Sequence, residues 1–497
     1  MRVILVNPPI DSVLENGNAT PVTAFLFYNS APLGILYIAA MLEQAGETVS
    51  VIDAAAEQLN VAKTVKRIEE FKPDIVGLSS FTVSFETTRR LAAGIKAAMP
   101  GVPVVLGSYH VTLVPQQAME DHNFDVGVLH EGEFTMLDLV EHYKGKKPLE
   151  DVQGICFRKP DNTLHFTPAR KAFRDLDQLP FPARHLLPMN IYRPIPVDEH
   201  DFPKFAMITS RGCPHACAFC QKARSGYRSH SAEYIVDEIE HIVRDFGVRD
   251  IAFVDSLFCA NKRRVYAICD EIIRRGVKVS WTCSTRVEVV DKPLLARMKE
   301  AGCWRARFGI ESGSDQVLEF ISKGITKEKI RAAITAAHEV GLRPKAFFIV
   351  GHMPDTRETI EETIEFAKSL PLHDVTVQIN TLLPQTPQME IWEKEGHKYG
   401  RLVNTNTDEK SFWEPTFVPW GMEPSDLIEL HRKFYREFYF RPVTIARHAE
   451  NIHTWRDVFK YVQASNLFSF LFFNAEKPNL QMLKSMFGSG EGTEAVA

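Results

Sequence analysis

A chain of 497 residues is long for one domain and points to two or three. Its 45% hydrophobic and 24% charged residues are ordinary for a globular protein, which excludes a disordered or fibrous chain. With 58 Lys and Arg against 63 Asp and Glu the net charge is −5, so no basic excess exists to neutralise a phosphate backbone and no nucleic-acid partner is expected.

The chain opens on a buried strand, Val3–Val6, stopped by Pro8 and Pro9; this apolar run is too short for a signal peptide. Strands and helices then alternate. Helices are expected at Leu33–Ala45 (with Gly46 as its stop), Val61–Phe71, Glu86–Met99 and Glu133–Tyr143. Strands are expected at Thr48–Ile52, Ile75–Ser79, Val104–Leu106 and Val126–Leu129. Continuous Val/Ile/Leu strands spaced by helices mean a parallel sheet covered on both faces. Residues 1–145 therefore read as an α/β, doubly wound domain of Rossmann or flavodoxin type, with its ligand at the carboxyl ends of the strands. Those ends carry Asn7, Asp53, Ser79 to Thr82, Gly107 to His110, and Glu131-Gly132-Glu133. No GxGxxG is present, which argues against a nicotinamide or flavin dinucleotide.

Residues 146–200 hold Pro160, Pro168, Pro180, Pro182, Pro188, Pro194 and Pro196, the composition of an extended connector. A second alternation fills residues 201–420. Its strands are expected at Phe205–Thr209, Asp250–Val254, Val277–Cys283, Arg305–Ile310, Lys345–Val350 and Thr376–Leu382. The clearest helix is Ala232–Phe246, with an apolar stripe from Ile235 to Val243 and Ser231 as cap. Six β/α units imply a partial barrel, whose active groups gather at the carboxyl ends of its strands. Residues 421–497 form a C-terminal helical region, with a helix at Leu427–Phe440 and a frayed tail around Met482–Phe487. Its interleaved Arg and aromatic residues can stack bases, seat a helix on a membrane surface, or cover the open end of the barrel; the last is preferred. The longest apolar run, Leu467–Phe473, is far too short to span a bilayer.

Just after the first barrel strand lies Arg211-Gly-Cys-Pro-His-Ala-Cys-Ala-Phe-Cys220. Cys213, Cys217 and Cys220 can ligate three irons of a four-iron cluster and leave the fourth open, unlike an electron-transfer ferredoxin. Structural zinc takes four ligands, usually in paired CxxC spacings, and no second pair exists here. The other cysteines, Cys156, Cys259, Cys269, Cys283 and Cys303, are scattered singly, which is reduced, cytoplasmic usage.

The CxxxCxxC run, with Phe219 before its last cysteine, resembles the radical S-adenosylmethionine (radical SAM) superfamily. The resemblance implies that the open iron chelates SAM and that the reduced cluster cleaves it to a 5′-deoxyadenosyl radical. Glu311 and Ser312, in Gly309-Ile-Glu-Ser-Gly313, match positions that contact SAM, with Gly313 suited to a tight turn. Arg286 is either a carboxylate contact or a surface ion pair, and Ile349–Pro354 resembles the stretch beside adenine. Asp255 takes the place of a polar group that meets SAM, corrinoid or substrate.

Residues 1–145 resemble the cobalamin-binding domain that precedes many radical SAM modules. Ser79, Thr82, Gly107, His110, Glu131 and Gly132 would then flank the corrinoid. The DxHxxG whose histidine meets cobalt from below is absent; His110 is either a substitute contact or a loop histidine bonded to backbone. Together the resemblances imply a cobalamin-dependent radical SAM enzyme, first a C-methyltransferase, next a cyclase or oxidative enzyme of the magnesium-protoporphyrin ester cyclase type. A non-catalytic corrinoid or iron–sulfur sensor is the third reading. The implied partners are a small-molecule or lipid substrate and an electron donor such as flavodoxin or ferredoxin, with peripheral membrane contact left open. Trp281, Trp304, Phe347, Phe348 and Trp413 are either pocket or core aromatics.

Overall fold

The computed structural model describes residues 1–9, 30–192, 198, 200–221, 226–403 and 415–450, with 452, 454, 455 and 457. Pro194, Pro196, Trp413, Leu467–Phe473 and Met482–Phe487 lie outside the described residues. The strands of the first sheet are β1 Arg2–Asn7, β2 Thr48–Asp53, β3 Ile75–Ser79, β4 Val104–Gly107 and β5 Val126–Val128. They run parallel in the order 2-1-3-4-5. Both faces are covered, because successive residues of β1 point to opposite sides. Val3 and Leu5 pack with the helices Leu33–Gln44 and Glu133–Tyr143. Ile4 and Val6 pack with Val61–Phe71 and Phe85–Ala98. This is the flavodoxin-type winding, with its crevice where the order reverses between β1 and β3.

The stretch read as a connector contributes two further strands, β6 Ile155–Arg158 and β7 Leu164–Phe166, which extend this sheet antiparallel. Asn162 turns the hairpin at φ +67°. Further along, Arg184 is fully buried, and its guanidinium donates to Glu238 (2.7 Å) and to the Ala206 carbonyl (3.2 Å). That pair ties the connector to the second domain.

The second sheet has six parallel strands: β8 Lys204–Met207, β11 Asp250–Phe253, β12 Ser280–Thr285, β13 Cys303–Glu311, β14 Lys345–Val350 and β15 Asp374–Ile379. Between β8 and β11 lies a short antiparallel ribbon of β9 Ser210–Arg211 and β10 Arg228–Ser229. The order of the six is 8-11-12-13-14-15, an open, partial barrel. β12 starts three residues later than the sequence suggests. Gly276 is the left-handed cap of the preceding helix, and Val277 donates back to Ile272, so neither is free to enter a strand.

The last strand needs its outer edge covered. The helix Pro424–Tyr439 does this with two tyrosines: Tyr435 OH accepts from Val377 N (2.9 Å) and Tyr439 OH from Val375 N (3.2 Å). Phe434 and Phe438 complete the packing. At the amino end of the barrel Asp198 meets Arg305, Arg307 (3.1 Å) and Lys345 (3.4 Å). Burial alone would raise this carboxyl; the surrounding cations hold it well below the usual range. No helix among the described residues is long and apolar enough to cross a membrane.

Candidate functional site

The carboxyl ends of the two sheets face one cavity of about 550 Å³. Ser79, Gly107 and Gly132 reach it from the first domain; Ile208, Gly212 and Val254 reach it from the second. The loop carrying the three cysteines opens from the ribbon of β9 and β10, where Arg211 pairs with Arg228. Cys217 is buried, Cys213 half-buried and Cys220 exposed. Cys220 N donates to Cys217 O (3.2 Å) and Ala218 N to Ile321 O (2.8 Å), which fixes the turn between the last two thiols.

Two cations stand beside these thiols. Arg286 is buried, and its Nη1 donates to Cys217 Sγ (3.1 Å); its other arms meet Glu288 and the Lys323 carbonyl. Its ion pair with Glu288 is therefore a buried one rather than a surface one. Lys323 bonds Glu311 (2.7 Å) and lies over the Phe219 ring at 5.8 Å. Although Cys220 reaches solvent, the surrounding loop partly desolvates its thiol and raises it, as do the charges of Cys217 and Cys213, with Lys323 pulling the other way. Three neighbouring thiols beside two cations are a donor set that a cationic cluster satisfies. Among the described residues no three metal-binding side chains close on a single ion. A cluster offers each thiolate its own iron, so convergence on one point is not required.

Glu311 ends β13 in the left-handed region at φ +72°, a conformation that non-glycine residues hold at a cost and that gathers at functional sites. Gly309 makes room for it: a Cβ there would stand 2.6 Å from Glu311 Oε1 and 3.0 Å from Lys323 Nζ. Ser312 Oγ lies 3.2 Å from Thr363 Oγ1 and accepts from Ser314 N (3.1 Å). Gly313 serves close packing rather than a tight turn, since its Cβ would meet Phe366 Cβ at 2.7 Å. Beyond it, His352 is fully buried 5.6 Å from the Phe219 ring, and neither of its nitrogens finds a partner among the described residues. Burial, then the nearby Lys323, lowers it to about 3, so the ring is neutral. Asn380 Nδ2 and the Gln388 amide are likewise buried and unpartnered among the described residues. Backbone bonds set these two beside the His352 loop and the cysteine loop: Asn380 N to Val350 O (2.8 Å), Gln388 N to Ala218 O (2.9 Å). Orphaned polar atoms of this kind fit a polar ligand such as SAM.

On the corrinoid side the placement differs from the sequence reading. His110 is buried and turned from the cavity, stacked on Phe85 at 3.8 Å with Nδ1 3.4 Å from Thr82 Oγ1. Burial lowers it to about 4. Thr82 is also absent from the cavity wall. Tyr109 takes their place: Ser108, at φ +83°, starts a short helix that turns Tyr109 into the cavity, stacked on Phe81 at 5.8 Å. Of these two adjacent residues the tyrosine lines the cavity and the histidine does not. Glu131 lines the cavity but is engaged by Arg228 and Arg211. Asp255 is committed to the first loop, accepting from Thr209 N (2.8 Å) and from Ser210 Oγ (2.8 Å). Trp281, Trp304 and Phe348 are buried away from the cavity: Trp281 Nε1 donates to Ala301 O, and Trp304 Nε1 to Asp250. Phe347 is not on the cavity wall either.

A fold of two facing α/β units with a three-thiol loop at their shared crevice defines an iron–sulfur enzyme that works beside a second cofactor. Residues 20–140 match the B12 binding domain and residues 207–367 the radical SAM superfamily. An uncharacterized methyltransferase of Pyrococcus horikoshii is 32% identical over 451 residues, covering 90% of this chain and 94% of the relative. The anaerobic magnesium-protoporphyrin IX monomethyl ester cyclase of Rubrivivax gelatinosus is 30% identical over 449 residues, covering 88% of this chain and 77% of the relative. Among solved structures, the cobalamin-dependent S-adenosylmethionine radical enzyme OxsB superposes at a TM-score of 0.74 over 97% of this chain and 74% of its own, at 17% identity. The chain belongs to the cobalamin-dependent branch of the radical SAM superfamily. Its cofactors are a four-iron cluster, SAM and cobalamin.

Proposed function

We propose that this enzyme methylates an unactivated carbon of a small molecule. The observation that carries the reading is the shared cavity, which brings the corrinoid-side loops at Ser79, Gly107 and Gly132 onto the neck of the cysteine loop. Bound, the cluster and SAM supply a carbon-centred radical, and the corrinoid supplies a methyl group. The chain's residues hold and shield these groups. Cys213, Cys217 and Cys220 hold three irons, while Arg286 and Lys323 balance their charge. Glu311 and Ser312 are already engaged with Lys323 and Thr363, so they shape the SAM site, and His352, Asn380 and Gln388 offer SAM their unpaired polar atoms. The Tyr109 and Phe81 rings present a flat apolar surface to the corrinoid. The electron comes from a flavodoxin or ferredoxin, and the protein works in the cytoplasm.

The Pyrococcus relative is named a methyltransferase and covers nearly all of this chain, which favours methylation. A cyclase or oxidative reaction is the second reading, favoured by the Rubrivivax relative at similar identity. Incubation with SAM labelled in its methyl group, followed by mass spectrometry of small molecules, separates them. A labelled product heavier by one methylene unit supports methylation. A product that has lost hydrogens or gained oxygen, with no label, supports the cyclase reading and sinks the first.

A further inference from the structure

We propose that Glu131, Glu133, Arg211 and Arg228 form a clamp that sets the spacing between corrinoid and iron–sulfur cluster. The inference rests on the reading above, that the two cofactors meet at the shared cavity. Arg211 and Arg228 are register partners at the neck of the cysteine loop, one on each side of it. Both reach out of their own domain. Arg228 donates to both oxygens of Glu131 (2.5 and 3.0 Å) and to the Phe173 carbonyl (2.5 Å). Arg211 donates to Glu133 (2.6 Å) and approaches Glu131 at 3.5 Å, with its guanidinium 5.4 Å from the Tyr37 ring. The two glutamates flank Gly132, where β5 hands over to the helix Glu133–Tyr143.

Two features point past simple domain docking. Glu131, Glu133 and Arg211 line the main cavity, so whatever fills it touches the groups that grip the cysteine loop. The same residues also line a second cavity of about 230 Å³, so the clamp borders open space rather than standing inside a packed core. The domains are also held through the connector, where Ala183 N donates to Leu36 O of the first domain (3.1 Å) and Arg184 pairs with Glu238 of the second, so cutting the clamp leaves the domains together. Two guanidiniums against two carboxylates balance in charge, and the bidentate arm gives direction as well as attraction. Burial pushes the Glu131 carboxyl up, but Arg228 and Arg211 outweigh it and hold it below its usual range. Removing one member leaves its partners short of charge in a partly buried site, so the loss falls on the neck of the loop.

The test is a spin measurement on the anaerobic, reduced holoprotein. Pulsed EPR reads the dipolar effect of the cluster on the cobalt spin, which depends steeply on their separation. Wild type should give one resolved coupling. Glu131→Gln and Arg228→Lys should each keep iron and cobalamin yet lose that single coupling to a broad spread. The double variant Glu131→Gln/Arg228→Lys should be no worse than either single, because both cut the same Arg228–Glu131 interaction. Variants that keep both cofactors and the wild-type coupling would overturn the clamp. If Glu131→Gln fails to fold, Glu133→Gln cuts only the Arg211 arm and reads the same way. A wild type that takes up no cobalamin or no cluster would instead sink the functional reading, and the clamp with it.

Discussion

Gly212 sits between the clamp arginine and the first cysteine, and replacing it with alanine should cost the protein its cluster. Its φ is +83°, and a Cβ would stand 2.1 Å from the Gly226 carbonyl oxygen and 2.8 Å from the carbon. The left-handed backbone costs an L residue about 1–2 kcal/mol. The overlap is with backbone, so the ribbon itself must open, at about 1–3 kcal/mol on the scale of overpacking. The sum is about 2–5 kcal/mol, concentrated at the neck of the loop. Gly226→Ala is the control, since Gly226 also has a positive φ (+72°) but no described residue within 4 Å of its Cβ. It should lose only the backbone part. Iron per chain after anaerobic reconstitution and the calorimetric Tm are the assays. Gly212→Ala should bind less iron and melt below Gly226→Ala. Equal iron and equal Tm in the two variants would refute the steric argument.

Asp198→Asn should destabilise by about 1.5–3 kcal/mol, because Arg307 and Lys345 lose a shared, partly buried carboxylate while Arg305 keeps Asp374; denaturant unfolding reads this. His352→Leu should weaken SAM binding roughly tenfold, the worth of one buried hydrogen bond, with cobalamin uptake unchanged in the same titration. Because His352 stays neutral down to about 3, wild-type SAM affinity should show no step owed to it between pH 5 and 8 in an isothermal titration. Glu131 has a folded pKa held below its unfolded value of about 4.3, so its contribution is full above that pH and is lost as pH falls through the folded value. The Tm gap between wild-type and Glu131→Gln apoprotein should therefore be constant near neutrality and close in acid.

Strand periodicity made both α/β halves legible, because a strand buried on both faces must be continuously apolar, as Val3–Val6 and Val104–Leu106 are. Boundaries slipped where a cap decides them, as at Gly276 and Val277. The cysteine loop was legible from spacing alone, since three thiols in eight residues have few other uses. The corrinoid side was not. Whether Tyr109 or His110 faces the cavity hangs on the positive φ of Ser108, which a serine does not announce. The contact of Arg286 with Cys217 has no local signal, because it arises only when the end of β12 and the cysteine loop, 69 residues apart in sequence, are brought together. The pairing of Glu131 and Glu133 with Arg211 and Arg228 spans 78 to 97 residues and has no local signal. Ionic contacts between domains carry no periodicity, so only the fold reveals them.

The most direct test of the account is anaerobic reconstitution with iron, sulfide and hydroxocobalamin, gel filtration, then dithionite and SAM with mass spectrometry of the products. The account expects cobalamin to elute with the protein and 5′-deoxyadenosine to form, and both iron uptake and cleavage to vanish when Cys213, Cys217 and Cys220 are changed to alanine. Iron-loaded protein that retains cobalamin yet leaves SAM intact would contradict it.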